Sequence, residues 1–191
     1  NSSTELIYGH AFFSGRKTVT INLRSGGTRR LQAETIVIDT GTTARIPKFT
    51  GLQDVAYLTS TTIMDLKVLP EHLIILGGGY IALEFGQMFR RFGSQVDIVE
   101  LEDQLMAHED HDIAKEVQNI LEDEGIQVWL NSRAVNVKQT TDSDIHLTIS
   151  NGKQEQVLNG THLLIAAGRI PNTRELNLQA SDIHYDEQGY I

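Results

Sequence analysis

A short apolar run that ends in three consecutive glycines most constrains what this chain can fold into. The run Leu73-Ile-Ile-Leu76 has no polar alternation, which is typical of a parallel strand buried on both faces. Gly77-Gly-Gly79 follows at once and allows a tight turn, and a helical pattern begins at Ile81. A strand, a glycine turn and a helix in immediate succession predict the opening of a βαβ unit.

The residues after the glycines have the spacing of an amphipathic helix. Gly93 follows the last apolar residue of the pattern and predicts where the helix ends. We expect one buried face on this helix, formed by Ile81, Phe85, Met88 and Phe92.

A strand, a second helix and a third strand are predicted next. Residues 95–100 and 126–130 are short apolar runs of strand type. Between them, Asp110 or Asp112 can cap a helix that ends at Gly125. We predict the apolar stripe of this helix from Ile113, Val117, Ile120 and Leu121.

A meander and one more buried strand complete this region. The meander is predicted from three alternating segments, which are residues 135–140, 145–150 and 154–158. Asn151-Gly152 is a hairpin-turn signal, and Leu163–Ala166 is again a continuous apolar run. The order β-α-β-α-β, meander, β predicts an α/β fold, namely a Rossmann-type dinucleotide-binding domain with a parallel sheet, spanning about residues 66–170.

The glycine turn carries a phosphate-binding pattern. Gly77 to Ala82 fits G-x-G-x-x-G/A, with Gly77 for the tight turn, Gly79 for room beside a pyrophosphate, and Ala82 for close helix–strand packing. A bound anion would lie at the positive end of the helix. The alternative is a purely structural glycine turn, but the strand before it and the helix after it favour dinucleotide binding.

Glu100, at the end of the next predicted strand, indicates which nucleotide binds. It follows Gly77 by 23 residues, which suits a carboxylate that accepts from the adenosine ribose hydroxyls. A carboxylate repels a 2′-phosphate, and Leu101-Glu-Asp103 brings no arginine to receive one. Residues 100–124 hold ten acidic residues and one basic residue, so this window accounts for the whole net charge of −9. We therefore predict NAD(H) over NADP(H), although such a run is also typical of a solvated helix face.

The rest of the chain shows antiparallel signals and a repeated tripeptide. Residues 10–39 alternate around a turn at Ser25-Gly-Gly27, and residues 31–38 are predicted as the returning strand. Arg-Ile-Pro occurs at 45–47 and again at 169–171, each time after an apolar run that ends in glycine. We interpret the two tripeptides as comparable passages between lobes of the protein.

Composition narrows the function classes. The 191 residues include no cysteine, which excludes a disulfide scaffold, a cysteine-ligated metal centre and a thiol nucleophile within them. The acidic balance argues against nucleic acid and anionic membrane as partners, and no apolar run is long enough for a membrane span. His108 and His111 lie among acidic residues but lack metal-site spacing, so we expect no metal.

Three motifs together resemble the class I pyridine nucleotide-disulfide oxidoreductases, which include dihydrolipoamide dehydrogenase, glutathione reductase and mercuric reductase. They are Gly77-Gly-Gly-Tyr-Ile-Ala-Leu-Glu-Phe-Gly86, Ala167-Gly-Arg-Ile-Pro-Asn-Thr173 and Asp39-Thr-Gly41. The resemblance covers nearly the whole chain. It implies a flavoprotein whose NAD(H)-binding domain, residues 66–170, is inserted into an FAD-binding domain represented here by residues 1–65 and 171–191.

The resemblance also implies roles for individual residues. The NAD positions would be Gly77, Gly79 and Ile81 at the pyrophosphate, Glu100 at the ribose, Ala134 near the adenosine, Gly168 at a strand end, and Tyr80 and Glu84 near the nicotinamide and flavin. The FAD positions would be Thr40, Gly41 and Arg169. As alternatives, Tyr80 and Glu84 could be ordinary helix-surface residues, and Arg169 could be an ordinary ion-pair partner.

Several features of that family are absent from this sequence. They are the paired cysteines, the N-terminal FAD glycine motif, the Gly-Asp segment for the flavin ribityl, and the interface domain with its His–Glu base. We therefore expect a central fragment of a longer protein, with no catalytic residues of its own and no turnover by itself. It would bind NAD(H), and FAD poorly.

The expected parent passes hydride from NADH to FAD and then electrons to a disulfide or another acceptor. By resemblance it would be a cytoplasmic homodimer that binds small-molecule cofactors. Two alternatives remain open at this point: an NADH oxidase-type flavoprotein without a redox disulfide, and a non-catalytic nucleotide-sensing module.

Overall fold

The computed structural model describes residues 4–140 and 144–191. The chain divides into two compact units, one made of the residues up to Thr43 together with Arg169–Ile191, the other of Ala44–Gly168. The sequence placed its domain boundaries at 65/66 and 170/171. Whether either unit binds the cofactor expected for it stays a prediction.

The secondary structure of the described residues follows a simple order. The strands and helices are β1 (Gly9–Gly15), β2 (Thr18–Leu23), β3 (Thr28–Gln32), β4 (Thr42–Ala44), β5 (His72–Leu76), α1 (Tyr80–Phe92), β6 (Gln95–Val99), α2 (His111–Asp123), β7 (Gln127–Trp129), β8 (Arg133–Gln139), β9 (Ile145–Ser150), β10 (Glu155–Gly160), β11 (His162–Ile165) and β12 (Arg169–Pro171). Short 3₁₀ turns occupy Leu52–Asp54, Thr62–Asp65 and Leu178–Ser181. No helix in these described ranges is long and apolar enough to cross a membrane.

The first unit contains an antiparallel sheet of β1, β2 and β3 in that order. Gly26 and Gly27 make the turn between β2 and β3 with φ of 94° and 81°, as the glycine signal predicts. The predicted return strand over residues 31–38 is correct only at Leu31 and Gln32, because β3 ends at Gln32 and the chain beyond it is not strand. No described strand pairs with the residues after Gln32, and Val37 is 85% exposed, so this part of the chain lacks the ladder of hydrogen bonds that a strand needs.

The two Arg-Ile-Pro sequences lie where the chain passes from one unit to the other. The boundaries fall at 43/44 and 168/169, immediately beside Arg45 and Arg169. Strands β4 and β12 pair as a two-stranded sheet at these passages. Within the second unit, Arg45 N donates to Gly168 O at 2.9 Å and so joins the beginning and the end of this unit.

The second unit is built on the predicted parallel sheet, with strand order β11-β5-β6-β7. Leu73 pairs with Val96 on one side and with His162 on the other, which puts β5 in the interior of the sheet. Residues 73–75 are fully buried, as expected of a strand covered on both faces. The antiparallel meander β8-β9-β10 is also as predicted, with Gly152 in a left-handed turn between β9 and β10.

The parallel sheet separates two apolar cores. On one face, alternate strand residues such as Ile74, Leu76 and Val99 pack against meander residues such as Leu147. On the other face, the intervening strand residues pack against both helices. Because side chains alternate along a strand, each parallel strand contributes to both cores.

The buried face of each helix differs from the predicted stripe. In α1 the buried residues are Ala82, Leu83, Gly86 and Phe89, whereas Phe92 is 62% exposed. A Cβ at Gly86 would lie only 3.2 Å from Ile98 Cδ1, so small residues let this helix approach the sheet closely. Of the predicted residues, Phe85 and Met88 are partly buried and pack against the edge of this core.

In helix α2, the buried residues also differ in part from the predicted apolar stripe. As predicted, Leu121 is buried and Val117 packs against the helix-side core, and Ala114 is buried as well, but the predicted core residues Ile113 and Ile120 are 54% and 47% exposed. Asp110 occupies the N-cap position as one of the two predicted candidates, but its side chain makes no capping hydrogen bond.

A buried polar cluster lies on the meander side of the parallel sheet. Asp97, which is 5% exposed, accepts from Trp129 Nε1 at 2.7 Å and lies 2.5 Å from His72 Nε2. A buried carboxylate is tolerated only with such partners, because burial removes its hydration. The cluster joins β5, β6 and β7 across the sheet.

We predict that Asp97→Ala lowers the free energy of unfolding by about 2–3 kcal/mol, because it leaves the indole N–H and the imidazole without a buried acceptor. Asp97→Asn should cost less, since its amide oxygen still accepts from Trp129 Nε1. Urea unfolding followed by circular dichroism measures both variants. Equal stability of Asp97→Ala and the wild type would contradict a supporting role for this cluster.

Candidate functional site

A pocket of about 870 Å³ opens at the carboxyl ends of the parallel strands, within the second unit. This edge of an open α/β sheet is where such folds bind their ligands. Seven of the eight residues predicted for NAD line the pocket, and they are Gly77, Gly79, Tyr80, Ile81, Glu100, Ala134 and Gly168. The eighth, Glu84, lies exposed on α1 and does not line it.

Gly77 makes the turn from β5 into α1. Its φ is 110°, and a Cβ there would lie 2.4 Å from Ala166 O. Its N–H donates to Val99 O at 2.8 Å, so the turn is held between the ends of β6 and β11. Only glycine satisfies both the positive φ and the close approach, which agrees with the role predicted for it.

Gly79 leaves open space at the start of α1. A Cβ at this position would meet no heavy atom within 4 Å, so the absence of a side chain is not needed for packing. The first hydrogen bond of the helix runs from Leu83 N to Gly79 O at 3.2 Å, and no side chain caps this end. The N–H groups of the first turn are therefore available to an anion such as a pyrophosphate.

Glu100 is fixed against the glycine turn. Its Oε2 accepts from Gly78 N, and its Oε1 accepts from Glu102 N at 2.9 Å. A Cβ at Gly78 would lie 2.8 Å from this Oε2 and 2.8 Å from Leu105 Cδ2. The absence of a side chain at Gly78 therefore lets the Glu100 carboxylate approach the turn. The G-x-G-x-x-G/A pattern does not require glycine at this middle position.

The segment Leu101–Asp110, which we call the acidic loop, forms one wall of the pocket. Leu105 is fully buried and anchors the loop in the helix-side core. Met106 N donates to Gly78 O at 2.8 Å, so the loop is also attached to the glycine turn.

Tyr80 extends from the first turn of α1 to the acidic loop. Its hydroxyl donates to Glu109 Oε1, and both residues line the pocket. The hydrogen bond to this carboxylate raises the pKa of the Tyr80 phenol, because ionisation would remove the donated proton and place two negative charges together. The sequence offered no signal for this pair, which is 29 residues apart.

The turn between β7 and β8 forms a further wall, and it is attached to the end of β6. Asn131 N donates to Glu102 O at 2.9 Å, and Ser132 N donates to Glu100 O at 2.8 Å. Asn131 takes a φ of 49°, a left-handed conformation that asparagine tolerates. These bonds bring Arg133 and Ala134 to the pocket. Ala134 was predicted there from the family resemblance, whereas Arg133 was not.

The pocket carries charges of both signs. The acidic side chains are Glu100, Glu102 and Glu109, and the basic ones are Arg45, Lys48 and Arg133. Across residues 4–140 and 144–191, none of these six side chains forms an ion pair within 4.0 Å. The basic groups are therefore available to a negatively charged ligand.

The residues predicted for FAD lie in the first unit, grouped around Asn172. Its Nδ2 donates to Thr40 O at 3.0 Å, and its N–H donates to Gly41 O at 3.0 Å. Arg169 donates from Nε to Thr42 Oγ1 and from its terminal nitrogen to Thr42 O at 2.7 Å. The structure thus brings together the three predicted residues, which come from two segments far apart in sequence, and a role toward FAD stays a prediction.

Histidine and acidic side chains do not gather into a metal-binding cluster anywhere in the described residues. His111 Nδ1 lies 2.9 Å from Gln104 Oε1, and Gln104 Nε2 donates to Glu109 O at 2.9 Å. These polar groups hold the acidic loop to the start of α2.

Comparisons with known proteins identify the family to which this chain belongs. The family model described as pyridine nucleotide-disulphide oxidoreductase matches residues 2–191. Mercuric reductase from Streptomyces lividans is 36% identical over 187 residues, which are 98% of this chain and 39% of that enzyme. Mitochondrial dihydrolipoyl dehydrogenase from Dictyostelium discoideum is 29% identical over 96% of this chain and 38% of its own length.

A solved structure shows the same fold. The HOCl-induced flavoprotein disulfide reductase RclA from Escherichia coli superposes with a TM-score of 0.81 at 33% identity, covering 97% of this chain and 41% of that one. The chain therefore spans about two fifths of the length of the relatives and the structure that it matches.

We predict that Glu109→Ala lowers the pKa of Tyr80 toward its ordinary value, since the carboxylate that favours the protonated phenol is then gone. Absorbance of tyrosinate, titrated against pH with Tyr80→Phe as the difference reference, measures this shift. Glu102→Ala removes a neighbouring acid that has no bond to Tyr80 and serves as the matched control. The same titration curve for Glu109→Ala and Glu102→Ala would contradict the pairing.

Proposed function

Since this chain belongs to the pyridine nucleotide-disulphide oxidoreductase family, we propose that its Ala44–Gly168 unit binds NAD(H) in the pocket at the carboxyl edge of the parallel sheet. One observation carries the proposal. The glycine turn, the uncapped first turn of α1 and the Glu100 carboxylate all line that single pocket. This combination supplies anion binding and ribose recognition side by side.

The proposed positions of the dinucleotide follow from these walls. The pyrophosphate lies at Gly77, Gly79 and Ile81, where the helix N–H groups have no partner inside the helix. The adenosine ribose lies at Glu100, and the adenosine lies near Ala134. Gly168, with a φ of 98° and no atom within 4 Å of a hypothetical Cβ, leaves room at the end of β11.

The nicotinamide end is assigned to the α1 side of the pocket. Tyr80 lines the pocket, and Glu84 follows it by one helical turn on the exposed surface of α1. We propose that both residues lie near the nicotinamide and the flavin in the whole protein. We assign both residues a binding role and no catalytic role.

We propose NAD(H) as the preferred cofactor over NADP(H). Glu100 is held by Gly78 N and Glu102 N in a position from which it can accept from ribose hydroxyls. The same fixed negative charge repels a 2′-phosphate. The acidic side chains of Glu102 and Glu109 line the same pocket and also disfavour the additional negative charge of NADP(H).

The whole protein is proposed to be a flavin-dependent oxidoreductase. When bound, NADH and FAD would together supply two electrons, which leave NADH as hydride, for the reduction of a disulfide or another acceptor. The first unit, which consists of the residues up to Thr43 together with Arg169–Ile191, is assigned to the FAD-binding domain, with Thr40, Gly41 and Arg169 as its contacts in this chain. Because the 191 residues contain no cysteine, this chain supplies no dithiol for the final step and should not turn over by itself. We assign the whole protein to the cytoplasm, as a homodimer.

We predict that Gly79→Val weakens NADH binding at least about tenfold, because its side chain fills the space reserved for the pyrophosphate. Its effect on stability should be below about 1 kcal/mol, since a Cβ at this position meets nothing. Isothermal titration calorimetry gives the affinity, and thermal unfolding gives the stability.

Gly77→Val is the contrasting variant for that measurement. Its Cβ would collide with Ala166 O and require a positive φ, so this variant should lose stability as well as affinity. Unchanged NADH affinity in a folded Gly79→Val protein would be incompatible with the proposed pyrophosphate site.

We predict that the wild-type chain binds NADH at least about tenfold more tightly than NADPH, because Glu100 attracts the hydroxyl and repels the phosphate. Glu100→Gln should lower the ratio of NADH affinity to NADPH affinity, mainly by weakening NADH binding. Fluorescence titration of the reduced nucleotides at fixed ionic strength measures both affinities. Tighter binding of NADPH by the wild type would overturn the assignment.

A further inference from the structure

The turn between β7 and β8 brings a positive charge to the ribose end of the pocket. Asn131 N and Ser132 N donate to the carbonyl oxygens of Glu102 and Glu100, so the backbone just before Arg133 is attached to the segment that carries the ribose carboxylate. Arg133 and Glu100 both line the pocket. In the sequence they are 33 residues apart, which hides this proximity.

Arg133 is not used by the acidic residues around it. The two carboxylate oxygens of Glu100 already accept from Gly78 N and Glu102 N, which directs this carboxylate toward the glycine turn. Arg133 is exposed, and among the residues that the structure describes its side chain has neither an ion-pair nor a hydrogen-bond partner. A guanidinium without a partner, at the wall of a pocket that carries charges of both signs, is available to a ligand.

The backbone attachment also limits how Arg133 can move. Ser132 is 6% exposed, and its Oγ donates to Leu130 O at 2.9 Å, so the turn is fixed on both sides of its tip. From Arg133 onward the chain is in β8, where Arg133 pairs with Ser150. The Cα of Arg133 is therefore held, and only the side chain can adjust to what binds beside Glu100.

We propose that Arg133 is a specificity-determining residue that binds a phosphate on the 2′ oxygen of the adenosine ribose. The proposal rests on the assignment of this pocket to a nicotinamide dinucleotide. A guanidinium binds phosphate through two parallel hydrogen bonds, which offsets part of the repulsion from Glu100. The site then prefers NAD(H) but retains measurable affinity for NADP(H), and Arg133 sets how large that preference is.

Two adenosine ligands isolate this end of the pocket. Adenosine 5′-monophosphate carries the free 2′-hydroxyl, and adenosine 2′,5′-bisphosphate carries the 2′-phosphate, while neither contains nicotinamide. Their affinities for the 191-residue chain are measured by calorimetry at fixed ionic strength. We expect Arg133→Gln to weaken the bisphosphate about tenfold, which is the loss of one charge-assisted pair, and to change the monophosphate less than about twofold.

Matched variants separate a specific contact from a change in overall charge. Arg45→Gln removes the same charge from another segment of the pocket wall and should change the ratio of bisphosphate to monophosphate affinity much less than Arg133→Gln does. Arg133→Lys keeps the charge but not the planar fork, so its bisphosphate affinity should fall between those of the wild type and Arg133→Gln.

The possible outcomes are distinct. If Arg133→Gln weakens the two ligands equally, Arg133 contacts the adenosine without regard to the phosphate and the proposal is wrong. If neither affinity changes, Arg133 contacts neither ligand, which overturns it as well. If the wild type binds neither of these ligands nor NADH, the nicotinamide dinucleotide assignment itself fails.

Discussion

The pocket depends on the close approach of Gly77 to the end of β11. A side chain at this position would collide with Ala166 O, while the Gly77 N–H is bonded to Val99 O. Those contacts align the ends of β11, β5 and β6, and they fix where α1 begins. The open space at Gly79, the acceptor position of Glu100 and the attachment of the acidic loop through Met106 all follow from that alignment. The position of the site side chains therefore depends on the backbone position of Gly77.

Most of the second unit was predictable from local sequence patterns. The parallel strands are continuous apolar runs, and the helix ends coincide with Gly93 and Gly125, whose φ values are 110° and 86°. The principal site residues were also predictable, because parallel strands present their carboxyl ends at one edge and Glu100 stands at such an end. Local sequence patterns are sufficient to predict the structure where burial and turn geometry allow few other conformations.

Other features were not predictable because they depend on packing between distant segments. Apolar periodicity placed Phe92 and Ile120 in the core, but Ala82 and Gly86 face the sheet because close helix approach requires small residues. Residues 31–38 have strand composition but no described neighbouring strand after Gln32. Arg133 reaches the pocket only through hydrogen bonds between backbone groups about 30 residues apart in sequence.

The division of the chain into two units has a consequence for the order of folding. The second unit is one continuous segment, and Arg45 N to Gly168 O closes its two ends on each other. The first unit is assembled from the two segments that flank it, including the pairing of β4 with β12. Joining those segments across a disordered insertion would carry a large loop-closure entropy, which the folded insertion has already removed. The folded insertion therefore lowers the entropy cost of joining the two segments that make up the unit enclosing it in sequence.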